Sequence, residues 1–169
     1  YGLLDHAAAL KWVQNHIEAF GGDKNKVMFY GQSSGANHAL WMLALPDVFS
    51  GLLQRVASHS ACTFPVYTSF PSDCDMELSY TEAKVKAVAF AAMVGCGPDK
   101  INNTANGDHD ARTRDCLRNK NTFDLGLAAS QLGATARPVI DGHIIPQLPY
   151  NQFEMGHITK GVDLMIGHN

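Results

Sequence analysis

At 169 residues the chain is long enough for one ordinary domain with a sizeable buried core. Apolar residues make up 46% and charged residues 17%, the balance of a globular protein with few surface charges. A net charge of −3 leaves no basic stripe to meet a phosphate backbone, which argues against nucleic-acid binding, and no apolar run approaches the ~18 residues of a membrane span.

The chain opens on Tyr1-Gly2-Leu3-Leu4, already in a helical pattern and without an initiator Met or leader, so the sequence reads as a segment of something longer. Leu3, Ala7, Leu10, Val13 or Gln14, Ile17 and Phe20 recur at helical spacing, with Gly21-Gly22 as C-cap residues. A polar turn from Asp23 to Lys26 precedes Val27–Tyr30, a short apolar run without alternation, as expected of a central strand covered on both faces.

The next residues carry the chemistry. Val27-Met28-Phe29-Tyr30 runs straight into Gly31-Gln32-Ser33-Ser34-Gly35, and a helical pattern follows at once. Strand, Gly-x-Ser-x-Gly and helix in that order describe a nucleophile elbow, a sharp turn that lifts a serine clear of its neighbours. Both glycines are expected to serve by leaving room where a Cβ would crowd the turn. The plainer alternative is a glycine-rich turn in which Ser33 only caps the following helix.

Behind the elbow, Ala36, Ala39, Leu40 and Leu43 mark a buried helix halted by Pro46, and Arg55–His59 is the next strand. Helix, strand, helix, strand points to an α/β fold with a doubly wound, mostly parallel sheet. Residues 61–76 change character, with Pro65, Pro71 and two cysteines in a loop. Ser79-x-x-Glu82 is a capping box opening a helix through Val94, stopped by Gly95. A polar surface loop over 97–110 precedes a short helix through Cys116-Leu117-Arg118 and another from about Thr122 to Leu132. Pro138-Val139-Ile140-Asp141-Gly142 signals a strand and turn, and Val162–Ile166 a last buried strand. Trp12 and Trp41, both on helical faces, are expected in the core.

The four cysteines, Cys62, Cys74, Cys96 and Cys116, are spaced too widely for a zinc knuckle. An even count suits two disulfides between sequence neighbours, Cys62–Cys74 and Cys96–Cys116; four reduced, buried thiols are the alternative. Asn102-Asn103-Thr104 is a glycosylation sequon in the polar stretch. Together with paired cysteines it favours a secreted or extracellular protein, a membrane-anchored ectodomain included. Asp108-His109-Asp110 is expected to be a solvated loop rather than a metal site, because adjacent side chains diverge and no second ligand cluster accompanies them. No metal or cofactor is expected. Asp141 reads as a turn residue bonding to local backbone rather than as a catalytic acid.

Several runs then line up in a recognisable order. Tyr1-Gly2-Leu3-Leu4-Asp5, Ala9-Leu10-Lys11-Trp12-Val13-Gln14-Asn15, Phe20-Gly21-Gly22-Asp23 and the elbow with its strand resemble the type-B carboxylesterase and cholinesterase family. Gly95-Cys96, Cys116-Leu117-Arg118, Pro138–Gly142 and Gly167-His168-Asn169 follow in the same order. The resemblance covers nearly all of residues 1–169 and implies an internal segment of a single α/β-hydrolase domain. Its triad runs Ser, Glu or Asp, His.

The resemblance assigns Ser33 as nucleophile and the backbone N–H of Ser34 as one oxyanion donor. Gly31, Gln32 and Gly35 flank them, and Ser60 matches a family serine near the acidic triad member. It also supports the Cys96–Cys116 pairing. It places the glycine-rich oxyanion loop before Tyr1, the acid just after Asn169 and the histidine far downstream. Of the eight histidines, His168 is the best placed for a triad within these residues, with Asp141 or Asp163 as its orienter, but the family register puts an acid-bearing turn there. His38, little more than one turn after Ser33, is expected to cap or pack.

The sequence departs from the family pattern at Gln32, where Glu is usual, and at Ser34, where Ala is usual. It departs again at Asn37-His38 and at His59-Ser60-Ala61-Cys62. Losing the charge at position 32 should weaken attraction for a cationic substrate. The implied activity is a serine carboxylic-ester hydrolase acting through an acyl-enzyme on a small-molecule ester. The competing reading is a catalytically silent relative used for adhesion, assembly or transport, with a protein partner. Ser33 favours the enzyme, since silent relatives commonly lose the nucleophile.

Overall fold

The computed structural model describes residues 1–61, 78–97, 109–132 and 137–167. The loop over 61–76 with Cys62 and Cys74, the sequon at Asn102, and His168-Asn169 lie outside them, apart from Ala61. The chain divides into two compact units, Tyr1–Glu77 with Ile140–Asn169, and Leu78–Val139.

The first unit is built on a three-stranded parallel sheet in the order β1-β2-β5: β1 Met28–Gln32, β2 Arg55–His59 and β5 Asp163–Gly167. Met28 faces Arg55 and Gln32 faces His59, while Arg55 faces Asp163 and His59 faces Gly167. All three strands therefore end together. The α/β class with a mostly parallel sheet is as expected from the sequence.

Helix α1 (Gly2–His16) starts the unit, and α2 (Ser34–Ala44) follows β1 and packs on β1 and β2. Ala36, Asn37 and Ala39–Ala44 are all buried, because this helix is apolar nearly all round and serves as the centre of the core. Leu40, Trp41, Met42 and Leu43 pack with Leu3, Ala7 and Leu10 of α1, with Phe49, Leu53 and Val56, and with Ile145. Each of the Leu, Ile, Val, Phe and Met side chains contributes about 1.5–3 kcal/mol by leaving water.

Half-buried glutamine amides fix the connections between elements. Gln14 Nε2 donates to the carbonyls of Lys24 and Leu52, and Gln54 Oε1 accepts from Val27 N–H. Pro46 does more than halt α2: it opens the short helix α3 (Pro46–Phe49), where its missing N–H is not needed. Neither α3 nor α7 (Pro149–Glu154) is signalled by periodicity, since both are under two turns long.

Several sequence expectations fail in this unit. Val27–Tyr30 is not covered on both faces: Met28 is 55% and Tyr30 60% exposed. The last strand is exposed throughout, with Met165 at 66%, because β5 is an outer strand and no described element packs on it. Trp41 is core, but Trp12 and Phe20 are exposed. Helix α1 ends at His16 and a 3₁₀ turn over Ile17–Phe20 tightens the path into Gly21 (φ 81°), which swings Phe20 off the apolar face. Phe20 and His16 instead lie beside the Trp12 ring.

In the second unit Leu78 N–H donates to the Pro138 carbonyl, the link between β3 (Leu78–Ser79) and the strand β4 (Val139–Ile140). Helix α4 (Tyr80–Met93) opens with the expected capping box: Ser79 Oγ accepts from Glu82 N–H, and the Glu82 carboxylate accepts from Ser79 N–H. The hydroxyl and amide of Ser79 hold the Glu82 carboxyl below the usual carboxylate range. Gly95 follows at φ 71°, the left-handed turn that only glycine takes without strain.

Cys96 and Cys116 form a disulfide, with Cα atoms 5.7 Å apart. It joins the end of α4 to α5 (His109–Arg118), while α6 (Thr122–Gln131) is capped by Asn121 Oδ1, which accepts from Phe123 N–H. The described part of the expected 97–110 loop includes, instead, the first two residues of α5, His109 and Asp110.

Candidate active site

Ser33 sits between the end of β1 and the start of α2 with φ 54° and ψ −120°. Few non-glycine residues adopt such a backbone, which costs a serine about 1–3 kcal/mol and persists only where the surroundings over-determine it. The restraints are on either side. Ser33 N–H donates to the His59 carbonyl at 3.0 Å, and its carbonyl accepts from Asn37 N–H at 3.1 Å.

The side chain is exposed and makes no cap hydrogen bond to α2, although Ser33 stands at the N-cap position. The plainer alternative of a helix-capping serine is thereby set aside. Ser34 is the first helical residue, so its N–H has no acceptor within the helix. The positive end of the α2 dipole points at the same place, where it favours developing negative charge.

Gly31 explains why the turn can be so tight. A Cβ there would lie 2.1 Å from the Gly35 carbonyl oxygen and 2.7 Å from Ala36 N, both backbone atoms. At Gly35 the expectation fails: an added Cβ meets no described atom within 4 Å. Among the described residues, only the first glycine of the motif is sterically required. Gln32 is exposed beside Ser33 and leaves the position uncharged.

Ser60 stands one strand over, also with a left-handed backbone (φ 56°), and its N–H donates to the Gly167 carbonyl at 2.7 Å. Ser33, Ser60 and Gly167 thus share the carboxyl edge of the parallel sheet, where ligands of open α/β sheets bind.

Two readings from the sequence resolve clearly. His38 packs: its Nδ1 lies 2.7 Å from Nε2 of His6, and the two rings meet edge to face. Burial, reinforced by His6, lowers the His38 pKa, so the ring is held neutral. Asp141 is a turn residue, its Oδ1 accepting from the N–H groups of His143, Ile144 and Ile145. Partial burial pushes its carboxyl up, but these backbone donors outweigh it and leave the group below its ordinary value.

Asp163 lies 3.8 Å from Arg55, an exposed ion pair at the opposite end of the strands from Ser33. Among the described residues no histidine nitrogen is hydrogen-bonded to Ser33 Oγ, and no three His, Cys, Asp or Glu side chains could hold a metal.

What the sequence did not flag is Ser58, a buried strand residue whose hydroxyl reaches the first turn of α2. It carries no signal in the pattern, because a serine inside a buried strand looks like a weak strand residue.

A strand, a strained serine and a buried helix, beside a parallel neighbouring strand, define the core of an α/β-hydrolase. The comparisons give the family: the sequence profile of the Carboxylesterase family matches residues 1–169, and the chain belongs to it. It is 31% identical to Cholinesterase 1 of Branchiostoma lanceolatum, over 98% of this chain and 44% of that protein. It is also 31% identical to the acetylcholinesterase of Electrophorus electricus, over 99% of this chain and 25% of that one. The crystal structure of a Geobacillus stearothermophilus carboxylesterase at pH 6.8 superposes with a TM-score of 0.74 at 27% identity. That match covers 99% of this chain and 31% of the other. The chain therefore spans less than half the length of these relatives.

Proposed function

We propose that this chain carries the nucleophile of a serine carboxylic-ester hydrolase, and that Ser33 is that nucleophile. The observation that carries the reading is the Ser33 backbone, strained to φ 54° with an exposed hydroxyl free of any capping bond. Strain of this kind is retained where it presents a reacting group. Membership of the Carboxylesterase family supports the same chemistry.

In the proposed reaction Ser33 Oγ attacks the acyl carbon and passes its proton to a base. The Ser34 N–H donates to the oxyanion, and removal of one such donor costs roughly 3–4 kcal/mol. The alcohol leaves, and water then attacks the acyl-enzyme carbonyl. Histidine, acidic partner and glycine-rich oxyanion loop come from outside residues 1–169, which form an interior segment of one hydrolase domain. The substrate is a small-molecule ester, and Gln32, which supplies no charge, should weaken attraction for a cationic one. The Cys96–Cys116 disulfide supports an extracellular location, and Asn102 is the glycosylation site.

The test is the mass of the intact protein before and after exposure to a fluorophosphonate, with the adduct mapped by peptide. A stoichiometric adduct on Ser33, absent in Ser33→Ala, is the expected result. An unlabelled Ser33 in a folded protein would overturn the hydrolase and favour a non-catalytic binding domain.

A further inference from the structure

We propose that Ser58 is a positioning residue for the elbow, its buried hydroxyl holding the first turn of α2 so that Ser33 keeps its strained backbone. The kinetic consequence rests on Ser33 being the nucleophile; the structural one does not.

Ser58 lies in β2 directly opposite Gly31 of β1 and is 2% exposed. Its Oγ–H donates to the Ala36 carbonyl at 3.2 Å. Gly31, across the register, lets the Gly35-Ala36 backbone descend to where its own Cβ would stand. The two members of one strand pair therefore meet the same helical turn, Gly31 by leaving space and Ser58 by a bond.

The Ala36 carbonyl already has an acceptor role within the helix. The Ser58 bond is a second one, and what it adds is direction: it ties α2 sideways to β2. Ser33 is then bracketed by adjacent residues of one strand. His59 accepts from its N–H, and Ser58 grips the turn that follows it. A shift of this turn would move both the hydroxyl and the Ser34 N–H.

The far end of α2 provides a matched control. Thr159 Oγ1, also buried, donates to the Met42 carbonyl at 2.9 Å. By helix rise it acts about 9 Å away from the Ser58 bond.

The experiment compares Ser58→Ala with Thr159→Val in the intact protein, by amide hydrogen exchange at Ser33 and Asn37 and by the kinetics of fluorophosphonate inactivation. Both variants are expected to lower Tm. Only Ser58→Ala should speed exchange at Ser33 and Asn37. It should slow the maximal inactivation rate about tenfold with reagent affinity unchanged, a sub-ångström misplacement of the attacking atom. Equal exchange at the elbow in the two variants would overturn the proposal, as would an unchanged maximal rate in a labelled protein. If wild-type Ser33 does not label, the hydrolase reading fails, and exchange alone still decides: a rise confined to the elbow upholds the clamp, and none refutes it.

Discussion

Ser33 and Ser60 occupy equivalent places on neighbouring parallel strands, each one residue past the register pair Gln32–His59 and each with a positive φ, 54° and 56°. They are the two non-glycine residues with positive φ among those described. Each donates its N–H to the next strand across, Ser33 to His59 and Ser60 to Gly167. The carboxyl edge of the sheet is thus a staircase of strained turns, the arrangement that places side chains above strand ends with little freedom to move.

The two motif glycines should behave differently. Gly31→Ala drives a Cβ into the backbone of Gly35 and Ala36, which cannot give way, and is expected to cost more than about 3 kcal/mol. Gly35→Ala meets no described atom and should change stability by about 1 kcal/mol or less. Urea unfolding of the two variants checks the ranking.

At position 33 itself, glycine relieves the strain and alanine does not. Ser33→Gly should be at least as stable as Ser33→Ala, by up to about 1 kcal/mol after the extra freedom of glycine in the unfolded chain is counted. Both should lose the fluorophosphonate adduct. Thermal unfolding and mass spectrometry separate the two effects.

Removing the Cys96–Cys116 disulfide closes off a sequence separation of 20 residues less tightly in the unfolded chain. Replacing both cysteines by serine is expected to cost about 3 kcal/mol, with an added penalty for a polar group at the buried Cys96 position. Limited proteolysis should then cut within residues 80–132 first.

The His6–His38 contact makes stability depend on pH. The bond needs one N–H facing one lone pair, and burial holds His38 below the ordinary histidine value. The unfolded chain therefore binds more protons than the folded one below about pH 6.5. The contribution is fully present above that pH and is lost as pH falls through the folded pKa. In His38→Gln the decline in unfolding free energy between pH 7 and pH 5 should be shallower than in wild type; a parallel decline would show that His38 does not titrate on unfolding.

Much of this was legible in the chain itself. The strained turn at Ser33, the capping box at Ser79 and Glu82, the buried α2 and the Asp141 turn are local: a few neighbouring residues fix the backbone, and their types name the geometry. What periodicity could not reach were contacts between elements distant in sequence. Ser58 meets Ala36 and His6 meets His38 only once β2 and α1 have packed against α2.

Exposure was decided in the same way. Val162–Ile166 and Val27–Tyr30 carry apolar runs that any buried parallel strand would carry, yet Met165 and Tyr30 stand open, because cover depends on which elements pack on a face. Sequence alone determined the kind of turn that holds Ser33. Among the described residues, tertiary structure made Gly31 and not Gly35 its steric hinge, because the Gly35 carbonyl comes down onto β1.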